Sequence, residues 1–332
     1  MEPASGPILT VSNLTTQIST KRGLLTAVDG VTFSLRHGEI LGIVGESGSG
    51  KSMTCRSIMR LLPASSEVVG GTVTYRGRNL LKLPPKDFYR LRGREIAMIF
   101  QDPMSVLNPV HRVGDQLTEA MLEHGVVKSK QAARVRAVEL LRKVGISAPE
   151  ERLAAYPHHF SGGMCQRLVI AISLACEPVI ILADEPTTAL DVTIQDQILK
   201  LLVGLQHELG LSLVLVTHDM GVVAQTCQRV AVMYAGKIVE LADKFELFTA
   251  PRHPYTQGLL NCVPRVEADG SVRPLTPIMG APPDLLQPPS GCRFHPRCPL
   301  ASDECQRGDF PLIQVGLDHF TACIKHEQMK LV

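Results

Sequence analysis

The sequence predicts an α/β protein built on a mainly parallel sheet, and three observations carry that expectation. Strand-length apolar runs at 40–44, 96–100, 179–183 and 212–216 alternate with stretches of helical period. Runs of this kind belong to strands covered on both faces, as in parallel sheets packed between helices. Residues 45–52 read Gly-Glu-Ser-Gly-Ser-Gly-Lys-Ser, a complete G-x-x-x-x-G-K-S phosphate loop between an apolar run and a helical one. A carboxylate pair, Asp184 and Glu185, closes the third apolar run.

The loop carries the first chemical reading. Gly45, Gly48 and Gly50 let the backbone turn tightly, so that N–H groups of Glu46, Ser47, Ser49 and their neighbours face phosphate oxygens. The following helix, expected over 53–62, adds free donors and a partial positive charge at its start. Lys51 can reach the β- and γ-phosphates, and the Ser52 hydroxyl can hold Mg²⁺. Asp184 at its strand end suits Mg²⁺, and Glu185 beside it suits the orientation and deprotonation of an attacking water.

Before the loop, 8–14 and 27–35 read as strands with a hairpin turn at Lys21-Arg22-Gly23, and 71–75 adds a short third. An N-terminal antiparallel β-subdomain is therefore expected. A short basic helix is expected over 88–94. From Val113 to Val144 the period turns helical, in two pieces separated near Gly125, which suggests an inserted helical subdomain spanning about 102–165. Another helix is expected over 193–209. After about residue 245 prolines crowd the chain and the period is lost. The division drawn is a nucleotide-binding domain over 1–245 and a small irregular extension over 246–332.

Bulk properties exclude other classes. The 332 residues are 45% hydrophobic and 20% charged, ordinary for a globular protein. A net charge of +2 gives no reason to expect nucleic acid as a partner. The first ten residues lack the pattern of a secretory signal, and no apolar run approaches the roughly 20 residues of a membrane-spanning helix. A peripheral or soluble protein of a reducing compartment is expected.

The ordered motifs resemble those of ATP-binding subunits of ABC transporters. They are the loop at Gly45–Ser52, Gln101 as the Q-loop glutamine, Ser161-Gly162-Gly163-Met164 as the signature, and Asp184-Glu185. Ala189-Leu190-Asp191 then matches the D-loop and His218 the switch histidine. The resemblance covers roughly residues 8–245. It implies a dimer that sandwiches two ATP molecules, with Ser161, Gly162 and Gly163 capping the partner's nucleotide. It implies Glu185, His218 and Gln101 as catalytic residues, and Ser52, Gln101 and Asp184 around Mg²⁺. Two departures stand out. Met164 replaces the usual Gln, although the backbone donors are kept. Ile18 falls near the place of the family's adenine-stacking aromatic, where Arg22 could stack instead.

Finer matches, among them Gln101-Asp102-Pro103-Met104, Asn108-Pro109 and Pro251-Arg252-His253-Pro254-Tyr255-Thr256, resemble the bacterial oligopeptide/dipeptide/nickel importer group, in particular the first of its two ATPases. That resemblance implies a heterodimer with a second ATPase and two integral membrane permease subunits. It also implies indirect cooperation with an extracytoplasmic substrate-binding protein and a place on the cytoplasmic face of the inner membrane. The alternative is an ATP-binding regulatory or metal-sensing ABC protein not coupled to transport.

Four cysteines, Cys292, Cys298, Cys305 and Cys323, are spaced C-x5-C-x6-C-x17-C. A reducing cytosol disfavours disulfides, and zinc favours tighter pairs. The spacing suits a [4Fe–4S] cluster, and the peptide-importer group carries this cysteine pattern; zinc and unligated thiols stay open. His295 and His319 could substitute as ligands but are expected at the surface. A metal would lend folding free energy to a segment with little core of its own.

Overall fold

The computed structural model describes residues 6–188, 190–264 and 275–329; Ala189 of the expected D-loop lies outside them. The chain runs β1 (Leu9–Thr20), β2 (Gly23–Leu35), β3 (Ile40–Val44), α1 (Lys51–Ile58), β4 (Ser66–Tyr75), β5 (Arg78–Asn79), α2 (Pro85–Leu91) and β6 (Ile96–Ile99). Then come α3 (Pro103–Val106), α4 (Val113–Glu123), α5 (Lys130–Lys143), α6 (Pro149–Arg152), α7 (Gly162–Leu174), β7 (Ile180–Asp184), α8 (Val192–Leu209) and β8 (Ser212–Thr217). The remainder is α9 (Met220–Thr226), β9 (Arg229–Tyr234), β10 (Lys237–Asp243), α10 (Lys244–Thr249), α11 (Pro254–Asn261), β11 (Ile313–Gly316) and β12 (His319–Thr321). No helix among the described residues is long and apolar enough to cross a membrane.

Two compact units emerge. Of the described residues, Arg36–Glu39 and those of Lys82–Leu215 form one, and 6–35, Ile40–Leu81 and those from Val216 onward form the other. In the second, β2, β1, β4 and β5 form an antiparallel sheet in that order. Leu9, Val11 and Leu14 of β1 are fully buried, as are Val28 and Leu35 of β2. The same unit carries the sheet run β11-β12-β10-β9-β3, where β3 pairs parallel to β9 and the other neighbours are antiparallel. The sheet is thus mixed rather than uniformly parallel.

In the other unit β6 pairs parallel to β7, and the Ser212 N–H at the start of β8 donates to Val179 O at 2.9 Å. Here α4 and α5 are amphipathic and bury one stripe each, Leu117 and Met121 of α4 and Ala133, Ala137 and Leu141 of α5, whereas α7 is buried on most of its faces, with Leu168, Val169, Ile170 and Ala171 all inside. Arg167 of α7 donates to Val144 O, the C-cap of α5, at 2.6 Å, a charged donor on orphan helix carbonyls. The break expected near Gly125 falls between α4 and α5, and Gly125 has φ +64°. The basic helix starts at Pro85 rather than Phe88 because proline suits the first helical position.

The C-terminal segment is less irregular than its composition implies. It adds α11 and the strands β11 and β12, and β12 pairs with β10. His319 is the anchor there, and its expected surface position is incorrect. It is 2% exposed, and its Nε2 lies 2.8 Å from Glu240 Oε1, which also accepts from Arg252 N at 2.5 Å. A carboxylate fully buried on β10 requires such donors. His319→Ala leaves Glu240 without its ring partner and should cost about 3 kcal/mol. Thermal unfolding followed by circular dichroism should show a clearly lowered midpoint, with His319→Gln losing less.

Candidate functional site

The phosphate loop follows from β3, whose five residues are all buried. Two glycines are required by close approach. A Cβ on Gly45 would meet Met233 O at 2.0 Å, and one on Gly50 would meet Ala27 O at 2.3 Å with φ already at +104°. The loop is braced by the turn after β9, where Gly236 N–H donates to Ser49 O at 2.8 Å. Lys51, 4% exposed, donates to Gly45 O at 2.8 Å and Glu46 O at 3.0 Å. Ser47 and Gly48 are exposed at the loop's crest, and α1 starts directly behind with Gly50 as its N-cap. The expected helix is shorter than drawn, ending at Ile58.

Glu46 stands apart, since the loop chemistry asks nothing of its side chain. Its carboxylate receives Arg297 Nη1 on Oε2 at 2.7 Å and Nη2 on Oε1 at 3.0 Å. Its backbone N–H donates to Tyr255 Oη at 2.8 Å. The hydrogen bond to Glu46 holds the Arg297 guanidinium above its ordinary pKa, and burial raises the Tyr255 phenol. Sequence reading missed these contacts.

In the other unit, Asp184 ends β7 and is 1% exposed. Glu185 follows with φ +45°, a left-handed conformation uncommon outside glycine and asparagine. That turn separates the two neighbouring carboxylates. Two donors converge on Glu185 Oε2: Gln101 Nε2 at 3.0 Å and the Thr188 hydroxyl at 2.8 Å. Gln101 and Glu185 are therefore brought together, and Thr188 joins them without a signal from sequence. Gln101 is exposed and leads into Asp102, which caps α3 through Met104 N.

The signature residues open α7. Ser161 is the N-cap, accepting from Met164 N at 3.4 Å, while Ser161 and Gly162 are exposed. Gly163 is needed for packing, as a Cβ there would meet Ile194 Cγ2 of α8 at 2.6 Å. Asp191 caps α8 through Ile194 N at 3.0 Å. His218 follows β8 and is exposed, and Asp219 beside it caps α9. Near the β1–β2 turn, Arg22 pairs with Asp284 at 2.9 Å with both side chains exposed, and Ile18 is half-buried.

The four C-terminal cysteines line one small cavity together with His253, Phe294 and His295. Burial raises the thiol pKa of Cys292 and Cys298 and pushes Cys323 up to about 12. Backbone N–H groups of Phe294 and His295 act on Cys292, that of Leu300 acts on Cys298, and Lys325 N–H donates to Cys323 Sγ at 3.3 Å. Among the described residues, however, no three His, Cys, Asp or Glu side chains form a group that could hold a metal ion. The metal-binding character expected of the extension is thus not supported by any such group of ligands, although the four thiols line one cavity.

Comparison with known proteins agrees with this architecture. Residues 28–188 match the family model described as ABC transporter, and residues 239–305 match that of the oligopeptide/dipeptide transporter C-terminal region. The dimeric ATP-binding cassette MJ0796, in a post-hydrolysis state bound to ADP and Pi, superposes with a TM-score of 0.64 at 28% identity. That match covers 71% of this chain and 98% of the other. The dipeptide transport ATP-binding protein DppD of Bacillus subtilis is 53% identical over 90% of this chain and 89% of its own length. The oligopeptide transport ATP-binding protein OppD of Escherichia coli is 47% identical over 96% and 93%. The chain belongs to the ABC transporter ATP-binding family, in the branch that carries the oligopeptide/dipeptide transporter C-terminal region.

The contact at Gly45 gives a direct test. Gly45→Ala must displace the loop from Met233 O and should weaken binding of a fluorescent ATP analogue at least ~100-fold, equivalent to about 2.7 kcal/mol. Calorimetric unfolding of the same variant should still show a cooperative transition.

Proposed function

We propose that this chain is the ATP-hydrolysing subunit of a peptide importer, peripheral to the cytoplasmic face of a bacterial inner membrane. The observation that carries the reading is the Gln101–Glu185 hydrogen bond. It ties the carboxylate suited to activating water to a residue at the edge of an exposed apolar stretch, where Met104, Val106 and Val110 are 48%, 36% and 76% exposed. Movement of a membrane subunit against that stretch would reach the hydrolytic residue through one side chain.

In this reading, N–H groups of Ser47–Lys51 and the Lys51 ammonium bind the phosphates, while the Glu46 N–H is held by Tyr255 Oη. Ser52, Asp184 and Gln101 offer hydroxyl, carboxylate and amide oxygens, the hard donors that suit Mg²⁺, which would neutralise phosphate charge. Glu185 takes the proton of the attacking water, and His218 steadies the γ-phosphate. Ser161, Gly162 and Gly163 cap the nucleotide of a second ABC ATPase, reached through the exposed Ser161 and Gly162 at the start of α7, and Asp191 belongs to the same contact. Two permease subunits complete the transporter, with a substrate-binding protein acting outside the membrane. The division into a nucleotide-binding domain over 1–245, with its helical subdomain at about 102–165, and an extension over 246–332 is part of the same proposal. Glu185→Gln should lower kcat for ATP at least ~100-fold while keeping nucleotide affinity, since it removes a proton acceptor and little volume. Normal turnover by that variant would refute the role of Glu185.

The extension is proposed to take a [4Fe–4S] cluster on Cys292, Cys298, Cys305 and Cys323. Support comes from their lining one cavity and from the peptide N–H two residues after Cys292, Cys298 and Cys323 that acts on each sulfur. Such donors stabilise thiolate, the ligating form. When bound, the cluster would supply structural cross-linking. Anaerobically purified protein should contain about four irons and four sulfides per chain with broad visible absorbance, lost in Cys298→Ser. One zinc per chain and no iron would reject the cluster.

A further inference from the structure

Glu46 puts a carboxylate into a loop whose purpose is to bind anions. Left alone, it would repel a bound phosphate and could swing the loop's first turn away from it. The structure answers this with a residue 251 positions further along the chain. Arg297 meets Glu46 with both arms of its guanidinium, at 2.7 and 3.0 Å. The Arg297 side chain is only 5% exposed. It lies 5.8 Å from the Tyr234 ring and 5.9 Å from the Phe294 ring, and its Nε donates to Met279 O at 3.0 Å. The planar fork is therefore fixed on its faces and its edges, a geometry that lysine cannot reproduce.

A second arginine reaches the other end of the loop. Arg293 donates to Ala235 O and to Asp29, and the adjoining Gly236 N–H holds Ser49 O at 2.8 Å. Arg293 directly follows Cys292, and Arg297 directly precedes Cys298. One short thiol-bearing segment thus grips the phosphate loop at Glu46 directly and at Ser49 through one turn. Exposed ion pairs contribute little, but this one is bidentate and its guanidinium is buried.

We propose that Arg297 is a positioning residue for nucleotide binding: it neutralises Glu46 and fixes the first turn of the phosphate loop, coupling nucleotide occupancy to the Cys292–Cys298 segment. The inference rests on the nucleotide reading given above. By linkage the coupling is reciprocal, so nucleotide must also steady the segment.

The test measures binding of a fluorescent ATP analogue, ATP turnover and thermal melting for full-length wild type, Arg297→Ala, Arg297→Lys, Glu46→Gln and the double variant Arg297→Ala/Glu46→Gln. Arg297→Ala should raise Kd and KM at least ~10-fold with kcat within about threefold, and Arg297→Lys should recover only part of the loss. The double variant should bind better than Arg297→Ala, because removing the Glu46 charge removes the need for its partner; a structural defect alone would not be relieved this way. Hydrogen exchange of residues 292–298 should slow with Mg-ATP in wild type and not in Arg297→Ala. If wild type binds nucleotide and Arg297→Ala binds it within about twofold, or the double variant is no better than Arg297→Ala, the positioning role is wrong. If wild type itself fails to bind nucleotide, the nucleotide reading fails first.

Discussion

The phosphate loop depends on a backbone approach so close that side chains are excluded from it. Gly45 lies where a Cβ would fall 2.0 Å from Met233 O, and Gly50 where it would fall 2.3 Å from Ala27 O. These contacts bring β2 and the end of β9 against the loop. Gly236 N–H then fastens Ser49 O, and Lys51 ties the loop's own carbonyls. A phosphate-binding loop must hold its N–H groups convergent before any ligand arrives, since ordering them at binding would cost affinity. Here the ordering is done by packing of main chain on main chain, which side-chain motion cannot easily undo.

A different solution operates at Asp184 and Glu185. Neighbouring carboxylates in a regular strand would diverge by the pleat alone, but Glu185 also takes φ +45°. Such a conformation in a non-glycine residue costs free energy and persists because the surroundings hold it. Gln101 and Thr188 are those surroundings, both donating to one oxygen. The signature and Asp191 show how ordinary helix chemistry serves the same end. Ser161 and Asp191 are plain N-caps, and each leaves an exposed helix start.

Much of this was legible in the sequence because it rests on local rules. The glycine spacing at 45–50, the apolar strands and the order of the motifs fixed the family and most elements. What could not be read depends on distant partners or on backbone strain. Thr188 beside Glu185 has no spacing signal of its own. His319 looked like a surface residue because nothing nearby in sequence reveals Glu240, 79 positions away. β11 and β12 are four and three residues long, too short to show a period of two. The thiols illustrate the opposite case: their spacing suggested a metal, while among the described residues no group of side chains is placed to hold one.

The C-terminal segment is thereby tied to the ATP-binding machinery rather than appended to it. Tyr255 accepts the Glu46 N–H, Arg297 matches the Glu46 carboxylate, and Arg293 secures the turn behind Ser49. Asp284 pairs with Arg22 at the β1–β2 turn, so the segment reaches the N-terminal sheet as well. A phosphate loop with a neutral residue at position 46 would need no buried guanidinium. With glutamate there, the local charge balance of the anion site is set by a residue outside the loop. The acidic residue in the loop and the arginine beside Cys298 are therefore best understood as one unit: loss of Glu46 leaves a buried guanidinium unmatched, and loss of Arg297 leaves a half-buried carboxylate in the anion site.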